Sequence, residues 1–516
     1  MRFIKLLTLA LGPLSSFAAV ISEGKDATLH QTVIEPRISY EQYAMPNDIP
    51  SLGVLGLHAL VDFNSSLYGG LGLYSAVNGD SGGYFALALE GGLQHPLWKK
   101  ILIDGGARVG GGGGRRTPVG GGIFVEPYLG LKYDFDWIRT GAYYSYINYL
   151  DGKIESQQVG LELTLPFTFS YVTANDLNPC RHFSSLHFPS VHEVGSTQNY
   201  IAGVMRTYLP NEGVMTDHGL LMASHFEFVG FEAAHYLTDH AYLFFNFSGA
   251  FHGHQNGYAD ELLGLGYRLP VRGTPIDGIV KFGAGSGGGG DVSTGGGFIY
   301  APMLGLEYHL NQQVGVEVNA GYVQAPQGDY QGKEISLLLK YYFSDAKLLP
   351  GLHDQDDEMK RADDSQFESW RIRLLNQTYL KPKSESGQIN PTMQLMGTDF
   401  DYYVARYLYL TGQAAFAYVG RQTGGYFSGL IGLGVESPVF FHERLNLFGE
   451  FLGGTAGGAG LDIGQGALIE PVLGLSYHLN EALALQASVG RLIAVQGQFS
   501  STTLNGGIAY KFWSIT

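Results

Sequence analysis

The residues best able to do chemistry are histidines, and one group of them surrounds the single cysteine of the chain. A stretch of thirteen residues holds one thiol and three imidazoles, Cys180, His182, His187 and His192. Thiolate and imidazole are ligands that suit zinc or copper. The spacing matches no standard metal site, and the segment has the composition of a flexible connection. We therefore expect no metal ion there.

A second group of histidines follows and suggests hydrolase chemistry. Its members are His218, His225, His235, His240, His252 and His254. Ser224 or Asp239 would complete a nucleophile–base pair of the kind that hydrolytic enzymes use. Whether such a pair forms depends on which ends of the surrounding strands carry these residues.

Three glycine-rich runs raise the possibility of phosphate binding. They occupy residues 105–122, 283–297 and 453–466. A phosphate-binding P-loop needs the pattern G-x-x-x-x-G-K-[ST] between a strand and a helix. Here no Lys-Ser/Thr pair follows the glycines and no helical pattern begins. We therefore predict flexible hairpin loops.

The glycine runs belong to a larger repeat that sets the architecture. Each run leads into a copy of one motif, EPYLGLKYDF (126–135), APMLGLEYHL (301–310) or EPVLGLSYHL (470–479). The copies begin near Arg37, Tyr200 and Trp370, and each closes with a strand that ends in phenylalanine, at Phe167, Phe343 and Phe512. Each copy spans ~130–145 residues, the size of a small domain. We call them repeats 1, 2 and 3.

Composition favours a membrane protein that spans with strands. Residues 1–18 have the pattern of a secretory signal peptide, with Arg2 and Lys5 before a short apolar stretch. No later segment reaches ~18 unbroken apolar residues, the length of a spanning helix. Charged residues make up only 15% of the chain, while 75 of its 516 residues are glycine. A net charge of −16 without a basic patch excludes nucleic acid as a partner.

Repeat 3 shows the strand pattern most clearly. We predict eight strands, at Arg371–Leu380, Met393–Val404, Tyr407–Tyr418, Tyr426–Glu436, Leu445–Gly454, Ala467–Leu479, Leu483–Ala494 and Thr503–Trp513. Most have ~10–13 residues, enough to cross a bilayer at a tilt. In the sixth strand Leu473, Leu475 and Tyr477 share one face, opposite Glu470 and Ser476. Polar and small residues make a poor core, so we predict that the apolar face meets lipid.

The connections between strands alternate in length. Short turns such as residues 477–482 are predicted to face the periplasm, and longer loops to face outward. This prediction places His225, His235 and His240 near a periplasmic turn, the wrong end for chemistry in the outer leaflet. Repeat 3 also has Arg406 where repeat 2 has His235. We therefore expect packing roles for the histidines, and no catalytic, cofactor-binding or metal-binding residues.

Three prolines lie inside the strand pattern. Pro127, Pro302 and Pro471 occupy the same position in the three repeats. Because proline lacks a backbone donor, we predict a bulge or the start of a strand at each of them.

The pattern as a whole resembles the small eight-stranded outer-membrane proteins of Gram-negative bacteria, the OmpA/OmpX type. The signal peptide, the eight alternating strands and the last strand LNGGIAYKFW (504–513) carry the resemblance. In that family the closing phenylalanine normally ends the chain, whereas here residues 514–516 follow the final aromatic pair. The resemblance implies outer-membrane lipid, lipopolysaccharide and the barrel-assembly machinery as partners. Arg115 and Arg116 could contact lipopolysaccharide, although the other two glycine runs lack them.

The resemblance and the repeats together predict a domain plan for an all-β, antiparallel transmembrane β-barrel. The plan is a signal peptide (1–18), repeat 1 (37–169), a linker (170–199), repeat 2 (200–343), an acidic linker (344–369) and repeat 3 (370–516). Three tandem barrels or one fused 24-stranded barrel would both satisfy it. We favour three barrels, because the linkers are too long for periplasmic turns and the interior charges in repeat 3 are few. Those charges are Glu436, Glu450, Glu470 and Lys511.

The expected function is that of a non-enzymatic integral outer-membrane protein. A passive pore for small solutes requires a wet lumen, whereas a structural role suits filled barrels. A surface adhesion role is an alternative, and a barrel-embedded lipid-modifying enzyme is a further one.

Overall fold

The computed structural model describes residues 30–114, 117–173, 191–222, 225–253, 255, 257–350, 367–382, 392–442 and 444–515. Over these residues all regular structure is β-strand, in 25 strands. No helix in the described part of the chain is long and apolar enough to cross a membrane. The predicted signal peptide, Cys180, His182 and His187 lie outside the described residues, as do residues 351–366 of the predicted acidic linker.

Repeat 1 contains nine strands: β1 (His30–Tyr43), β2 (Leu52–Asp62), β3 (Leu67–Asn78), β4 (Phe85–Trp98), β5 (Ile101–Gly113), β6 (Phe124–Asp134), β7 (Arg139–Tyr149), β8 (Glu155–Thr164) and β9 (Phe167–Thr173). Repeat 2 contains eight: β10 (Val191–Pro210), β11 (Phe226–Tyr236), β12 (Ala241–His252), β13 (Ala259–Pro270), β14 (Ile276–Gly288), β15 (Phe298–His309), β16 (Val314–Gln324) and β17 (Gln331–Pro350).

Repeat 3 also contains eight strands: β18 (Phe367–Leu380), β19 (Met393–Ala405), β20 (Leu408–Val419), β21 (Phe427–Glu436), β22 (Leu445–Gly457), β23 (Ala467–His478), β24 (Leu483–Ala494) and β25 (Ser500–Ile515). These are the eight strands that alternation predicts. Their ends differ from the prediction by a few residues.

Consecutive strands pair antiparallel within each repeat, and the first strand of each repeat also pairs with a late one. In repeat 2, β10 pairs with β17 and closes an eight-stranded barrel. In repeat 1, β1 pairs with β8, with Arg37 opposite Thr164. In repeat 3, β18 pairs with β25, with Trp370 opposite Phe512.

Strand β9 adds a feature that the sequence did not predict. Phe167, expected to end the closing strand of repeat 1, lies in β9 instead, opposite Ile34 of β1. The far end of β9 pairs with β25, where Val172 lies opposite Trp513. The ladders of repeats 1 and 3 are therefore continuous in one sheet.

Burial along the strands is inverted relative to a water-soluble barrel. In β23, Leu473 is 62% exposed whereas Glu470 is 0% exposed. The same alternation runs through β8 and β24, whereas β2 and β3 are buried on most of both faces. Exposed leucine and valine side chains cover the outside of the barrels, and charged and amide side chains fill the inside. This confirms that the apolar face looks outward, as lipid-facing strands require.

The three prolines do not behave as predicted. Pro127, Pro302 and Pro471 lie inside β6, β15 and β23, opposite Ala107, Phe282 and Phe451 on one side. On the other side the ladder is interrupted around each proline and resumes in the same register. The prediction of a bulge or a strand start is therefore wrong. Because proline has no backbone N–H, one hydrogen bond of the ladder is lost at each position, while the register of the two strands stays the same.

Strands also occupy parts of the predicted linkers. Residues 191–199 and 344–350 belong to β10 and β17, and Val191 pairs with Pro350. Strand β1 begins at His30, before the predicted start of repeat 1, and β9 crosses the boundary predicted at residue 169. The ladder extends beyond the predicted boundaries of the repeats, where pairing satisfies the backbone groups as well.

Candidate functional site

The interior of a barrel is where a pore would lie, and repeat 1 fills it with ion pairs. Arg37 contacts Glu162 at 3.2 Å and Asp104 at 3.6 Å. Lys132 binds the same two carboxylates, at 2.5 Å from Asp104 and 3.2 Å from Glu162. All four side chains are buried, so two cations and two anions form a compact group that spans the lumen.

A second group in repeat 1 centres on Arg108. Its guanidinium lies 3.2 Å from both Glu41 and Glu126. The rings of Tyr128 and Tyr143 lie 4.7 and 4.8 Å from the guanidinium carbon. This arrangement pairs the charge and also stacks it on aromatic rings, which suits arginine in a buried site.

Repeat 2 fills its interior with lysines instead. Lys281 contacts Glu232 at 2.5 Å and Glu317 at 3.1 Å. Lys340 contacts Glu317 and lies 2.8 Å from Glu307. A separate pair, Arg206 and Asp260, lies closer to the loops.

Repeat 3 uses two arginines two residues apart in β18. Arg371 contacts Asp401 at 2.6 Å, and Arg373 contacts Asp401 at 2.8 Å. Arg373 also binds Asp399 at 3.1 Å and Glu450 at 2.8 Å. The interior therefore carries more charge than the sequence analysis expected. The period of two on β18 and β19 was the signal that could have revealed these residues.

The four interior charges named from the sequence do lie on the inside of repeat 3. Glu436 contacts Arg371 at 2.9 Å, and Lys511 lies 3.9 Å from Glu436. Glu470 accepts a hydrogen bond from Thr503 at 2.5 Å.

These side chains leave little open space. Two internal cavities, one in repeat 3 beside Arg373 and one in repeat 2 beside Lys281, each offer about 10 Å³ to the centre of a water molecule. That is room for about one water. Paired charges line both cavities, Arg373 with Asp399 and Glu450 in repeat 3 and Lys281 with Glu232 in repeat 2.

The repeats meet along three seams, which we define by their strands. Strand β5 faces β20, β14 faces β3, and β22 faces β12. In each case the fifth strand of one repeat meets the third strand of another. The contacts run from repeat 1 to 3, from 2 to 1 and from 3 to 2, which is a closed ring of head-to-tail interfaces.

Glycine lets the seams close. A Cβ on Gly288 would lie 2.3 Å from the Gly83 nitrogen, and one on Gly257 would lie 2.9 Å from the Gly458 nitrogen. Gly83 and Gly257 also have positive φ angles, 88° and 81°, which glycine adopts without strain. The prediction of flexible loops is therefore wrong at Gly288 and Gly458, because a neighbouring repeat packs against these two glycine runs.

Hydrogen bonds cross the seams at equivalent places. The Gly82 N–H donates to the Gly295 carbonyl at 2.8 Å, and the Gly424 N–H donates to the Gly120 carbonyl at 3.1 Å. The Ser286 hydroxyl donates to the Ala76 carbonyl at 2.5 Å.

All three repeats contribute to one aromatic cluster, the hub. Phe85 of repeat 1 lies 6.1 Å from Phe247 of repeat 2 and 6.3 Å from Phe427 of repeat 3, measured between ring centroids. Phe416 and Leu87 pack in the same cluster. The hub is the common point of the ring of seams.

The histidines do not form the predicted arrangement. His235 and His240 lie at the short-turn end of repeat 2, but His225 lies at the loop end, before β11. The prediction that His225 lies near a periplasmic turn with the other two is therefore wrong. His235 is hydrogen-bonded to Asn199 at 2.8 Å, and His218 contacts Asp291 at 2.7 Å.

Several other residues named in the sequence analysis lie beyond the described part of the chain. Ser224, His254, Arg115 and Arg116 lie outside the described residues, and His192 is placed in β10. His225 and His252 do come together, next to Glu227.

No protein-family model matches the sequence, and no curated protein matches it. Solved structures do match. A designed transmembrane β-barrel is 15% identical and covers 28% of this chain and 94% of its own, with a TM-score of 0.20. A mutant ferric enterobactin receptor (PfeA) from Pseudomonas aeruginosa is 10% identical and covers 95% and 81%, with a TM-score of 0.27. OccK5 (OpdH) from the same organism is 10% identical and covers 94% and 98%, with a TM-score of 0.22.

Those likenesses are weak, and the class of the protein follows from its own physical features. Antiparallel strands close into eight-stranded barrels, apolar side chains cover the outside, and charged side chains are buried within. Only closed barrels and helices satisfy all backbone groups in lipid. The chain is a transmembrane β-barrel protein of the outer-membrane type.

Proposed function

We propose that the chain is a non-enzymatic, non-conducting structural protein of the outer membrane, built from three separate eight-stranded barrels packed in a ring. The observation that carries the proposal is the filled interior, where each repeat pairs its buried charges across the lumen. A conducting barrel needs a water-filled channel.

The pairing of first and last strands supports three barrels over one fused ring. Strands β1, β10 and β18 pair with β8, β17 and β25 of their own repeats. A fused ring would instead pair the last strand of one repeat with the first strand of the next. The β9–β25 pairing adds an outer bridge between two barrels whose own ladders already close.

The passive-pore alternative has less support, because its path would have to pass between paired side chains such as Arg37 and Glu162. An enzyme also has less support. His235 and His240 lie at the opposite end of repeat 2 from His225 and His252, so they cannot share one reaction centre. Lipopolysaccharide and the barrel-assembly machinery belong to this proposal as the surroundings and the insertion partner.

Conductance of the purified full-length protein in a planar bilayer tests the proposal. We expect no stable conductance steps from the native protein. A double variant of repeat 1, Arg37→Ala with Lys132→Ala, removes both cations of that interior group. We expect it to show small, flickering currents, because water enters the space that the two side chains leave. That variant also demonstrates insertion under the same conditions.

Stable, voltage-independent steps from the native protein would overturn the structural role and favour the pore. Co-flotation of the native protein with the vesicles, together with its heat-dependent shift in gel mobility, shows that silence reflects folded, inserted protein.

A further inference from the structure

A cluster of potential metal ligands lies at the loop end of repeat 2. His225, Glu227 and His252 each offer one ligand atom, and these atoms all lie within 4.8 Å of one another. The two imidazole rings are 5.9 Å apart between centroids. The three residues come from two neighbouring strands, since Glu227 lies directly opposite His252 in the ladder of β11 and β12.

A β-bulge brings these residues together. The register of β11 and β12 shifts between Glu227 and Phe228, so that His252 pairs with Glu227 and Ala250 pairs with Phe228. Bulges redirect side chains and are common beside functional sites. Here the bulge turns His252 toward the side of the strand that carries Glu227.

Contacts with repeat 3 hold the backbone on both sides of His252. The Ala250 carbonyl accepts a hydrogen bond from the Thr455 hydroxyl at 2.5 Å. The Gly253 N–H donates to the Gln465 side-chain oxygen at 3.1 Å. His252 is therefore held in place, because repeat 3 fixes the chain two residues before it and one residue after it.

One ring nitrogen of His252 is buried without a partner. Among the described residues, its Nδ1 has no hydrogen-bond partner, although the atom is shielded from solvent. A buried nitrogen of this kind has its lone pair or proton available for a water or an ion. This observation is independent of the clustering of the three side chains.

The other two repeats have the same bulge without the ligands. The pair Glu227 and His252 corresponds to Gly53 and Asn78 in repeat 1 and to Gln394 and Val419 in repeat 3, each pair preceding the same register shift. The fold therefore does not require histidine or glutamate at this place. The ligand set is a property of repeat 2 alone.

We propose that His225, Glu227 and His252 form a binding site for a divalent transition-metal ion of the zinc type. Two imidazoles and one carboxylate are a known three-ligand set for zinc, and they leave a coordination position for water or another ligand. Ligand atoms around such an ion lie about 3.5 Å apart, so the cluster must contract slightly. His225 is the most exposed of the three side chains.

Zinc titration of the full-length protein in detergent, in competition with a chromogenic chelator, tests the site. We expect one equivalent of zinc to bind. His252→Ala and Glu227→Gln are each expected to weaken binding at least about tenfold. The matched control is His235→Ala, because His235 lies in β11 with Glu227 but at the opposite end of that strand. This variant should bind zinc as the native protein does.

The linker residues Cys180, His182 and His187 are the competing source of zinc binding. A variant with all three replaced by alanine should keep the one equivalent if the proposed site is correct. Loss of binding in that variant, with full binding by His252→Ala, would overturn the proposal. Absence of any zinc binding by the native protein would overturn it as well.

Cobalt supplies a second readout that does not depend on affinity. Co²⁺ in the native protein should give visible ligand-field bands, and Glu227→Gln should shift those bands because an oxygen ligand changes. Binding should also weaken in acid, because zinc requires unprotonated imidazoles. Unchanged bands in the Gln variant, with an unchanged heat shift on gels, would count against Glu227 as a ligand.

Discussion

The barrel interiors and the seams are packed in opposite ways. The interiors hold long charged side chains that meet across the lumen, and their identities differ between repeats. One interior position is Gly106 in β5, Lys281 in β14 and Glu450 in β22. The seams bring glycine backbones together around the aromatic hub, and the glycines Gly83, Gly257 and Gly425 recur in all three repeats.

The difference shows which kind of contact tolerates change. An interior charge can reverse sign when a partner nearby changes with it. Lys281 binds Glu232 in repeat 2, whereas Glu450 at the same position binds Arg373 in repeat 3. At a seam the neighbours are backbone atoms of another repeat, which cannot be exchanged. Where a Cβ would meet that backbone, as at Gly83 and Gly288, glycine is the residue that fits.

Breaking an interior cluster should have the largest effect on stability. Arg373→Met leaves the buried carboxylates of Asp399 and Glu450 without their cation. Removing one partner of a buried ion pair costs about 3–5 kcal/mol. Urea unfolding in lipid vesicles measures the loss.

Two further variants sharpen this test. Arg491→Met removes an exposed arginine that contacts two hydroxyls in the same repeat, and it should change the free energy of unfolding by less than about 0.5 kcal/mol. Adding Glu450→Gln to Arg373→Met should recover part of the loss. No recovery would show that the cluster does not act through paired charges.

Crowding a seam should have the next largest effect. Gly288→Ala places a methyl group against the backbone of Gly83, and overpacking of this kind costs about 1–3 kcal/mol. Gly278→Ala is the matched control, because it lies in the same strand with its nearest neighbour at 3.6 Å. Unfolding in urea compares the two variants.

Crosslinking shows whether the seam itself has opened. Gln327 donates a hydrogen bond to Asn78 at 3.1 Å across the boundary of repeats 2 and 1. Cysteines at these two positions, in a Cys180→Ser background, should be joined by a short bismaleimide. The yield should fall with Gly288→Ala and stay high with Gly278→Ala. Equal yields would mean that the glycine does not control the approach.

The sequence predicted features that depend on a single strand, such as its bounds and its lipid-facing side. It missed features that depend on contacts between two repeats. Alternation placed β24 at Leu483–Ala494, as found, and gave the correct lipid-facing side of β23. It could not show that the glycine runs are packed, because the strand that contacts each run belongs to another repeat. It also misplaced His225, because that residue precedes β11 whereas His235 lies near the far end of the same strand.

The smallest expected effect concerns a single hydroxyl at a seam. Thr455 donates to the Ala250 carbonyl, and Ser286 makes the equivalent bond to Ala76. Thr455→Val keeps the volume and removes one hydrogen bond, so it should cost about 1 kcal/mol in urea unfolding.

Repeat 1 has Gly111 at this position, where a Cβ would lie 2.3 Å from the Cβ of Tyr418. Gly111→Ser would supply the missing hydroxyl and yet should destabilise more than Thr455→Val does, because the backbones at that seam are too close for a side chain. If Gly111→Ser instead stabilised the protein, hydrogen bonding would outweigh backbone approach in holding the seams together.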